Sequence, residues 1–317
     1  MTDTQNEVFK TPVNKIRLFE HRAPGSQNLK LTRKYYTEDM PDGRVKHIVQ
    51  NITDPDIVPY IPDGIGNSTD RQRIPAVLII PGGAFRRLVY NFEGEDVAKW
   101  LNSMGIAAFV LECRLPSDEH DNAEDVPLID AMRAMRVIRG RAQEFGIDEA
   151  KIGVMGFSAG GFMAALLSTA YESDVYADYK YKDEYDKLSA RPDFAVCSYP
   201  VISIDDCIEA GKRYMSEEQV LERISDSKAK ILHKYNPDKL VRPDMPPVFI
   251  CETDDDRTTL SENSVGFYMA ARKAGVSAEL HIFRTGGHGY GCGDDFAQTG
   301  EWKVLFTKWI KSIGIIS

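Results

Sequence analysis

The sequence lacks the features that would assign it to several large classes of protein. No apolar run approaches the roughly 20 residues that a membrane-spanning helix needs. Acidic residues (48) outnumber basic residues (39), and the net charge of −9 disfavours DNA, RNA and other phosphate-rich partners. The polar start, MTDTQNEVFK, contains no hydrophobic segment of a secretory signal. We therefore expect a cytoplasmic protein with no membrane or nucleic-acid partner.

Cysteine is scarce, and its distribution disfavours a disulfide framework. The cysteines are scattered and odd in number, at positions Cys113, Cys197, Cys207, Cys251 and Cys292. This pattern is typical of reduced thiols in the cytoplasm. No CxxC or HExxH spacing occurs, so the sequence offers little support for a zinc site. No repeat of about 20–50 residues is present, which disfavours solenoids and propellers. We expect that the protein needs no metal or other cofactor.

From residue 75 onward, apolar strand-like runs alternate with amphipathic helical segments. The strand candidates are PAVLIIP, IAAFVLEC, KIGVMG, FAVCSYP, PVFICET and AELHIFR. The helical candidates are GEDVAKWLNSMG, EDVPLIDAMRAMRVIRGRAQEFG, SAGGFMAALLSTAY, SENSVGFYMAARKAG and TGEWKVLFTKWIKSIG. This alternation predicts an α/β fold with a mostly parallel sheet and helices on both of its faces.

Composition and local punctuation indicate how the rest of the chain is arranged. With 43% hydrophobic and 27% charged residues, the chain can bury a large core. Residues 1–74 carry turn signals such as DMPDG and IPDGIGNSTD between short strand-like runs, and we expect antiparallel edge strands there. Residues 172–192 and 207–245 are polar and charged, and we expect surface excursions that are candidates for a lid. No low-complexity linker divides the chain, so we predict a single domain over residues 1–317.

The segment GFSAG has the pattern G-x-S-x-G between a predicted strand and a predicted helix. This is the setting of a nucleophile elbow, in which a serine with a strained backbone projects from a sharp turn. A side chain at either flanking glycine, Gly156 or Gly160, would collide with the neighbouring strand or helix. The alternative is that Ser158 caps the helix after an ordinary glycine turn. Because that alternative does not explain glycine on both sides, we predict that Ser158 is a nucleophile.

A serine hydroxyl needs an adjacent base, which in a parallel sheet comes from loops at the carboxyl ends of later strands. His288 lies between two glycines after the strand AELHIFR, and we predict that it is the base. Three consecutive acids, Asp254, Asp255 and Asp256, follow the strand PVFICET, and one of them would orient the histidine. The chain order Ser, Asp, His fits hydrolases that carry an elbow. An exposed loop histidine and a solvated acidic turn are the alternatives.

Backbone N–H groups near the serine are candidates for stabilising an oxyanion. Gly82 and Gly83, in the segment LIIPGGAF, follow the first buried strand, where bare backbone can approach a substrate closely. With the N–H of Ala159 at the start of the helix, they would form an oxyanion hole. A plain turn is the alternative for the two glycines.

Together these segments resemble the α/β-hydrolase family, and within it the esterases that include acetylxylan esterases and related carbohydrate deacetylases. The resemblance covers about residues 75–315 and rests on the ordered segments NFEGEDVAKWLNSMGIAAFVLECRLP, KIGVMGFSAGGFMAALLSTAY, RPDFAVCSYPVIS, ENSVGFYMAARKAG and GGHGYG. It departs from the family pattern at Ala84, where a third glycine is usual, and near Glu252, where histidine or glycine is usual.

The resemblance implies a role for each site residue. These are Ser158 as nucleophile, His288 as base, Asp256 as acid with Asp255 as second choice, and Gly82, Gly83 and Ala159 as oxyanion donors. It also implies cofactor-free hydrolysis of a small-acyl ester, such as an acetyl group on a sugar, through an acyl-enzyme. The expected partner is therefore a small-molecule ester or an acetylated carbohydrate.

Two other functions stay open at this point. One is a serine peptidase of the prolyl-oligopeptidase type, although only about 75 residues precede the first main strand, too few for the propeller of those enzymes. The other is a hydrolase scaffold that binds a ligand without catalysis. The sequence does not indicate an oligomeric state.

Overall fold

The computed structural model describes residues 9, 13–64, 73–213, 215–223, 226–293 and 298–317. Its strands are β1 (Ile16–Arg17), β2 (Lys34–Asp39), β3 (Val45–Gln50), β4 (Asp56–Tyr60), β5 (Ile74–Ile80), β6 (Leu88–Val89), β7 (Ala107–Glu112), β8 (Ile147–Phe157), β9 (Ala195–Ser198), β10 (Val248–Thr253) and β11 (Ala278–Phe283). Its α-helices are α1 (Asp96–Ser103), α2 (Val126–Gly140), α3 (Ala142–Phe145), α4 (Ala159–Ala170), α5 (Ile204–Lys212), α6 (Glu217–Arg223), α7 (Asp226–Lys234), α8 (Ser261–Lys273) and α9 (Trp302–Ser312). The chain start at residues 1–8 and the end of the predicted turn IPDGIGNSTD at residues 65–70 lie outside the described residues.

In the described part of the chain, an eight-stranded sheet has the spatial order β1-β4-β7-β5-β8-β9-β10-β11. All neighbours from β7 to β11 in this order are parallel, whereas β1 and β4 run antiparallel at one edge. Each of the six strand candidates in the sequence forms one of the parallel strands. The α/β fold and mostly parallel sheet expected from the sequence are therefore confirmed.

The N-terminal strands divide between two sheets, a detail that the sequence pattern does not reveal. β1 and β4 lie at the edge of the main sheet, as expected. β2 and β3 instead form a small antiparallel sheet with β6. One of the two partners of β3 is β6, a two-residue strand that follows the PGG turn, and a strand this short leaves no periodic signal in the sequence.

The polar segment 207–245 contains helices as well as loops, because α5, α6 and α7 lie largely within it. The Lys234 Nζ atom at the end of α7 donates to the Asp125 carboxylate at 2.7 Å, and the Tyr235 hydroxyl donates to the same carboxylate. This contact attaches the segment to the start of α2. The lid role and the single-domain organisation stay predictions.

The central strands are buried because helices cover the sheet. In β5, residues Ala76 to Ile80 are at most 1% exposed. Helices α1 and α9 meet through Trp100 and Trp302, whose ring centroids lie 5.0 Å apart, while α2 and α4 pack against each other. The carboxyl ends of the parallel strands share one edge of the sheet, and this edge brings the predicted site residues together.

Candidate active site

The backbone at Ser158 forms the sharp turn that the sequence predicts. Ser158 has φ 53° and ψ −119°, a conformation that non-glycine residues rarely adopt, between the end of β8 and the start of α4. A Cβ atom at Gly156 would overlap the carbonyl oxygen of Gly160, and one at Gly160 would overlap that of Ile80. Glycine on both sides therefore permits the close approach of β5, β8 and α4.

The Ser158 side chain points away from the helix that it precedes. It makes no capping hydrogen bond to α4, which contradicts the alternative of a helix N-cap. Its Oγ atom instead lies 2.8 Å from Nε2 of His288. The other ring nitrogen, Nδ1, lies 2.6 Å from Oδ2 of Asp256. The three predicted residues thus form one continuous chain of hydrogen bonds, with the geometry of a serine nucleophile, its base and an orienting acid.

Of the three residues, His288 is the most exposed and Asp256 is the most buried. Ser158 is 8% exposed, the His288 side chain is 21% exposed, and the Asp256 side chain is fully buried. The Asp256 Oδ1 atom accepts the N–H groups of Thr258 and Thr259 at 2.7 and 3.0 Å. Burial raises the pKa of Asp256, but hydrogen bonds from His288 and these N–H groups outweigh it and lower the pKa. The acid is therefore ionised at neutral pH and can accept a hydrogen bond from Nδ1 of His288.

The other two acids of the triplet are exposed, and the hydrogen bonds of the histidine ring go instead to Ser158, Asp256 and Thr259. Asp255 accepts the N–H groups of Gly286 and Gly287 at 2.9 and 2.8 Å, so it holds the loop that carries His288. The geometry thus separates Asp256 from the second choice that the sequence left open.

The PGG turn differs from the sequence-based prediction at one residue. The N–H of Gly82 donates to Oε2 of Glu93 at 2.8 Å and is not available to a substrate oxygen. This corrects the expected role of Gly82 as an oxyanion donor. Gly83 has φ 136°, and within the described residues neither its N–H nor that of Ala84 has a protein acceptor. The Ala159 N–H lies in the first turn of α4, where no intrahelical acceptor exists.

Three residues at this site were not singled out from the sequence: Glu93, Tyr199 and Thr259. Glu93 lies in a five-residue π-helix, Asn91–Glu95, and is 4% exposed. Its Oε1 atom accepts the Tyr199 hydroxyl at 3.0 Å. The Thr259 hydroxyl lies 3.0 Å from Asp256 and 3.2 Å from Nδ1 of His288. No sequence motif marks these residues as part of the site. Glu93, for example, lies in the polar segment NFEGED and resembles an ordinary solvated acid.

A narrow pocket adjoins the PGG turn and the start of α4. Its cavity volume is only about 10 Å³, roughly the space that one water molecule occupies. Apolar side chains form much of its wall, among them Phe85, Leu88, Leu115, Pro127 and Met163. The apolar lining lies beside the PGG turn, but a space of this size is too small to hold an acyl group.

The described residues contain neither a cluster suited to a metal ion nor a helix suited to a membrane. No group of three or more His, Cys, Asp or Glu residues in the described ranges is arranged to hold a metal ion. No helix there is long and apolar enough to cross a bilayer.

Comparisons with known proteins agree with the fold. The BD-FAE family model matches residues 65–270. An acetylxylan esterase of Xylanibacter ruminicola is 31% identical over 240 residues, which cover 75% of this chain and 45% of that protein. The endo-1,4-beta-xylanase B of Butyrivibrio fibrisolvens is also 31% identical, over 71% of this chain and 34% of its own. The chain thus spans less than half the length of these curated relatives.

Solved structures cover the chain more completely. The acetyl ester-xyloside bifunctional hydrolase of Caldicellulosiruptor lactoaceticus is 34% identical with a TM-score of 0.72, and the match covers 96% of this chain and 97% of that one. A thermophilic esterase of Thermogutta terrifontis, solved with propionate bound, shares the fold at 24% identity and a TM-score of 0.64, over 93% and 96% of the chains. The resemblance drawn from the sequence motifs is confirmed: the chain belongs to the BD-FAE family and has the α/β-hydrolase fold.

Proposed function

We propose that the protein is a serine esterase that removes small acyl groups, chiefly acetyl, from a sugar or a similar alcohol. The observation that carries this proposal is the unbroken hydrogen-bond chain from Ser158 through His288 to Asp256. The identity to an acetylxylan esterase and to an acetyl ester-xyloside hydrolase supports the acetyl group and the sugar.

The reaction proceeds in two steps. His288 Nε2 takes the Ser158 proton while Oγ attacks the ester carbonyl carbon, and the carbonyl oxygen becomes an oxyanion. The N–H groups of Gly83 and Ala159 stabilise this oxyanion, a contribution of about 3–4 kcal/mol per donor. His288 then gives its proton to the alcohol, which leaves, and the acyl group stays on Ser158.

Water completes the cycle. His288 takes a proton from water, the hydroxide attacks the acyl-enzyme, and Ser158 regains its proton as the carboxylic acid leaves. Asp256 keeps the proton of the neutral imidazole on Nδ1, so Nε2 is free to accept. It also stabilises the imidazolium that forms in each step.

Acetate release from acetylated xylo-oligosaccharides, acetylated monosaccharides and aryl esters of increasing acyl length tests the proposal. We expect turnover that falls steadily beyond short acyl chains. A fluorophosphonate probe should label the parent protein at Ser158 and leave Ser158→Ala unlabelled and inactive. No labelling would indicate a binding protein instead, and cleavage of a prolyl peptide without ester turnover would indicate a peptidase.

The remaining expectations from composition accompany this proposal as predictions. They are a cytoplasmic location and a function without nucleic acid, and residues 172–192 and 207–245 stay candidates for a lid.

A further inference from the structure

Glu93 is a buried acid that the proposed mechanism does not use. It is 4% exposed, and both of its hydrogen-bond partners, the Gly82 N–H and the Tyr199 hydroxyl, are neutral groups. An unpaired buried carboxyl group is costly, because the site must replace the water that solvates it. Burial raises the pKa of Glu93, while the nearby His288 and the two hydrogen bonds oppose this rise. Because burial of this carboxyl group costs free energy, we look for a role of Glu93 in the site beyond packing.

The first contact of Glu93 holds the PGG turn against the elbow. Its Oε2 atom accepts the Gly82 N–H at 2.8 Å. A Cβ atom at position 82 would lie 2.7 Å from this oxygen and 2.9 Å from Cβ of Ser158. Gly82 therefore packs closely between Glu93 and Ser158, without room for a side chain. With the Gly82 N–H occupied, the next N–H in the turn, that of Gly83, is left free for a substrate.

The second contact of Glu93 reaches the loop that carries the histidine. Its Oε1 atom accepts the Tyr199 hydroxyl at 3.0 Å, and the same hydroxyl oxygen accepts the Gly291 N–H at 3.0 Å. The Tyr199 ring packs edge-on against the His288 ring, with centroids 5.1 Å apart. Tyr199 itself has φ 38°, a strained conformation at the end of β9. One carboxyl group thus connects the oxyanion turn, the end of β9 and the histidine loop.

We propose that Glu93 is a positioning residue that sets the distance between the oxyanion donors and the Ser158–His288 pair. This inference rests on the proposed esterase function. Because Glu93 contacts neither the reacting atoms nor the pocket mouth, its loss should disturb the transition state more than substrate binding.

Four variants with an aryl acetate substrate test this inference. In Glu93→Ala the turn and the histidine loop lose their common anchor, and we expect kcat to fall about 100-fold, near the loss of a whole oxyanion donor. In Glu93→Gln the carbonyl oxygen still accepts the Gly82 N–H, so kcat should recover to within about tenfold of the parent. Tyr199→Phe removes the hydroxyl that joins Glu93 to Gly291 but keeps the contact between Glu93 and Gly82, so it should give an intermediate loss. KM should change less than about threefold in all of them.

Glu95→Gln is the matched control. Glu95 lies in the same π-helix, but its side chain is 30% exposed and pairs with Lys99 at 2.7 Å. The same charge is removed there without contact to the turn or the histidine loop, and kcat should stay within about twofold of the parent.

Two outcomes would overturn the inference. One is that Glu93→Ala and Glu93→Gln fold and match Glu95→Gln in kcat. The other is that kcat falls only in proportion to the folded fraction measured by thermal unfolding, which indicates a structural role. If Glu93→Ala does not fold, Glu93→Gln and Tyr199→Phe decide the same question. Parent protein that turns over no acetyl ester would instead refute the proposed function, so the two failures are distinguishable.

Discussion

Replacement of Asp256 by asparagine offers the sharpest test of the site geometry. The Oδ1 atom of Asp256 accepts two backbone N–H groups, from Thr258 and Thr259, and these donors need an oxygen in the same place after the change. The asparagine must therefore keep its carbonyl oxygen there and turn its NH₂ group toward His288. An NH₂ group donates, so Nδ1 of the imidazole has to accept, and the ring proton moves to Nε2.

In this tautomer, Nε2 of His288 carries a proton and cannot accept the proton of Ser158. Loss of the correct tautomer in a serine triad lowers kcat about 10⁴-fold, which corresponds to about 5.5 kcal/mol of transition-state stabilisation. We expect a loss of this size for Asp256→Asn with an aryl acetate, measured as kcat at neutral pH. Because the backbone acceptor is kept, the thermal unfolding midpoint should change little.

Asp254→Asn is the control, since Asp254 is exposed two residues away and the same charge is lost. Its kcat should stay within about twofold of the parent. The reasoning is wrong if Asp256→Asn keeps more than about a tenth of the parent kcat while the fold is intact. It is also wrong if Asp255→Asn is the more damaging change, because Asp255 contacts the histidine loop and not the ring.

Two further predictions concern stability. Burial raises the pKa of Asp118 to about 6, so the folded protein holds this proton more tightly than the unfolded chain does. The free energy of unfolding should therefore fall as pH rises from about 4 to about 6, and Asp118→Asn should flatten that slope in urea unfolding; parallel curves would contradict it. Asp130→Ala leaves the buried Arg114 guanidinium without the carboxylate that it contacts at 2.7 Å. A loss of about 3–5 kcal/mol is expected in the same assay, and a loss below about 1 kcal/mol would count against this account.

The parallel strands and the elbow were predictable because short-range patterns determine them. Six apolar runs alternate with helices, and the glycines around Ser158 mark places where backbones nearly touch. The position of His288 followed from a glycine-flanked histidine at a strand end. In each case the signal lies within a few neighbouring residues.

The details that the sequence missed depend on contacts between distant segments. Gly82 and Gly83 look alike in the sequence, and the acid that engages the first of them lies 11 positions later in the chain. Among the three consecutive acids, the resemblance favoured Asp256, but the residues alone left Asp255 open, and side-chain direction separates the two. The pairing of β3 with β6 likewise joins segments about 40 positions apart, one of them two residues long.

The small antiparallel sheet has a consequence for where the chain can be cut. His47, in β3, donates its N–H to Asn91 Oδ1 at 3.0 Å, and Asn91 Nδ2 donates to the Val45 carbonyl at 2.8 Å. Asn91 begins the π-helix that carries Glu93, so hydrogen bonds from β3 hold the helix whose Glu93 contacts the PGG turn. The family match begins at residue 65, beyond these strands. A fragment that begins at residue 65 would keep Ser158, Asp256 and His288. It would lose the strands that hold the π-helix beside the PGG turn.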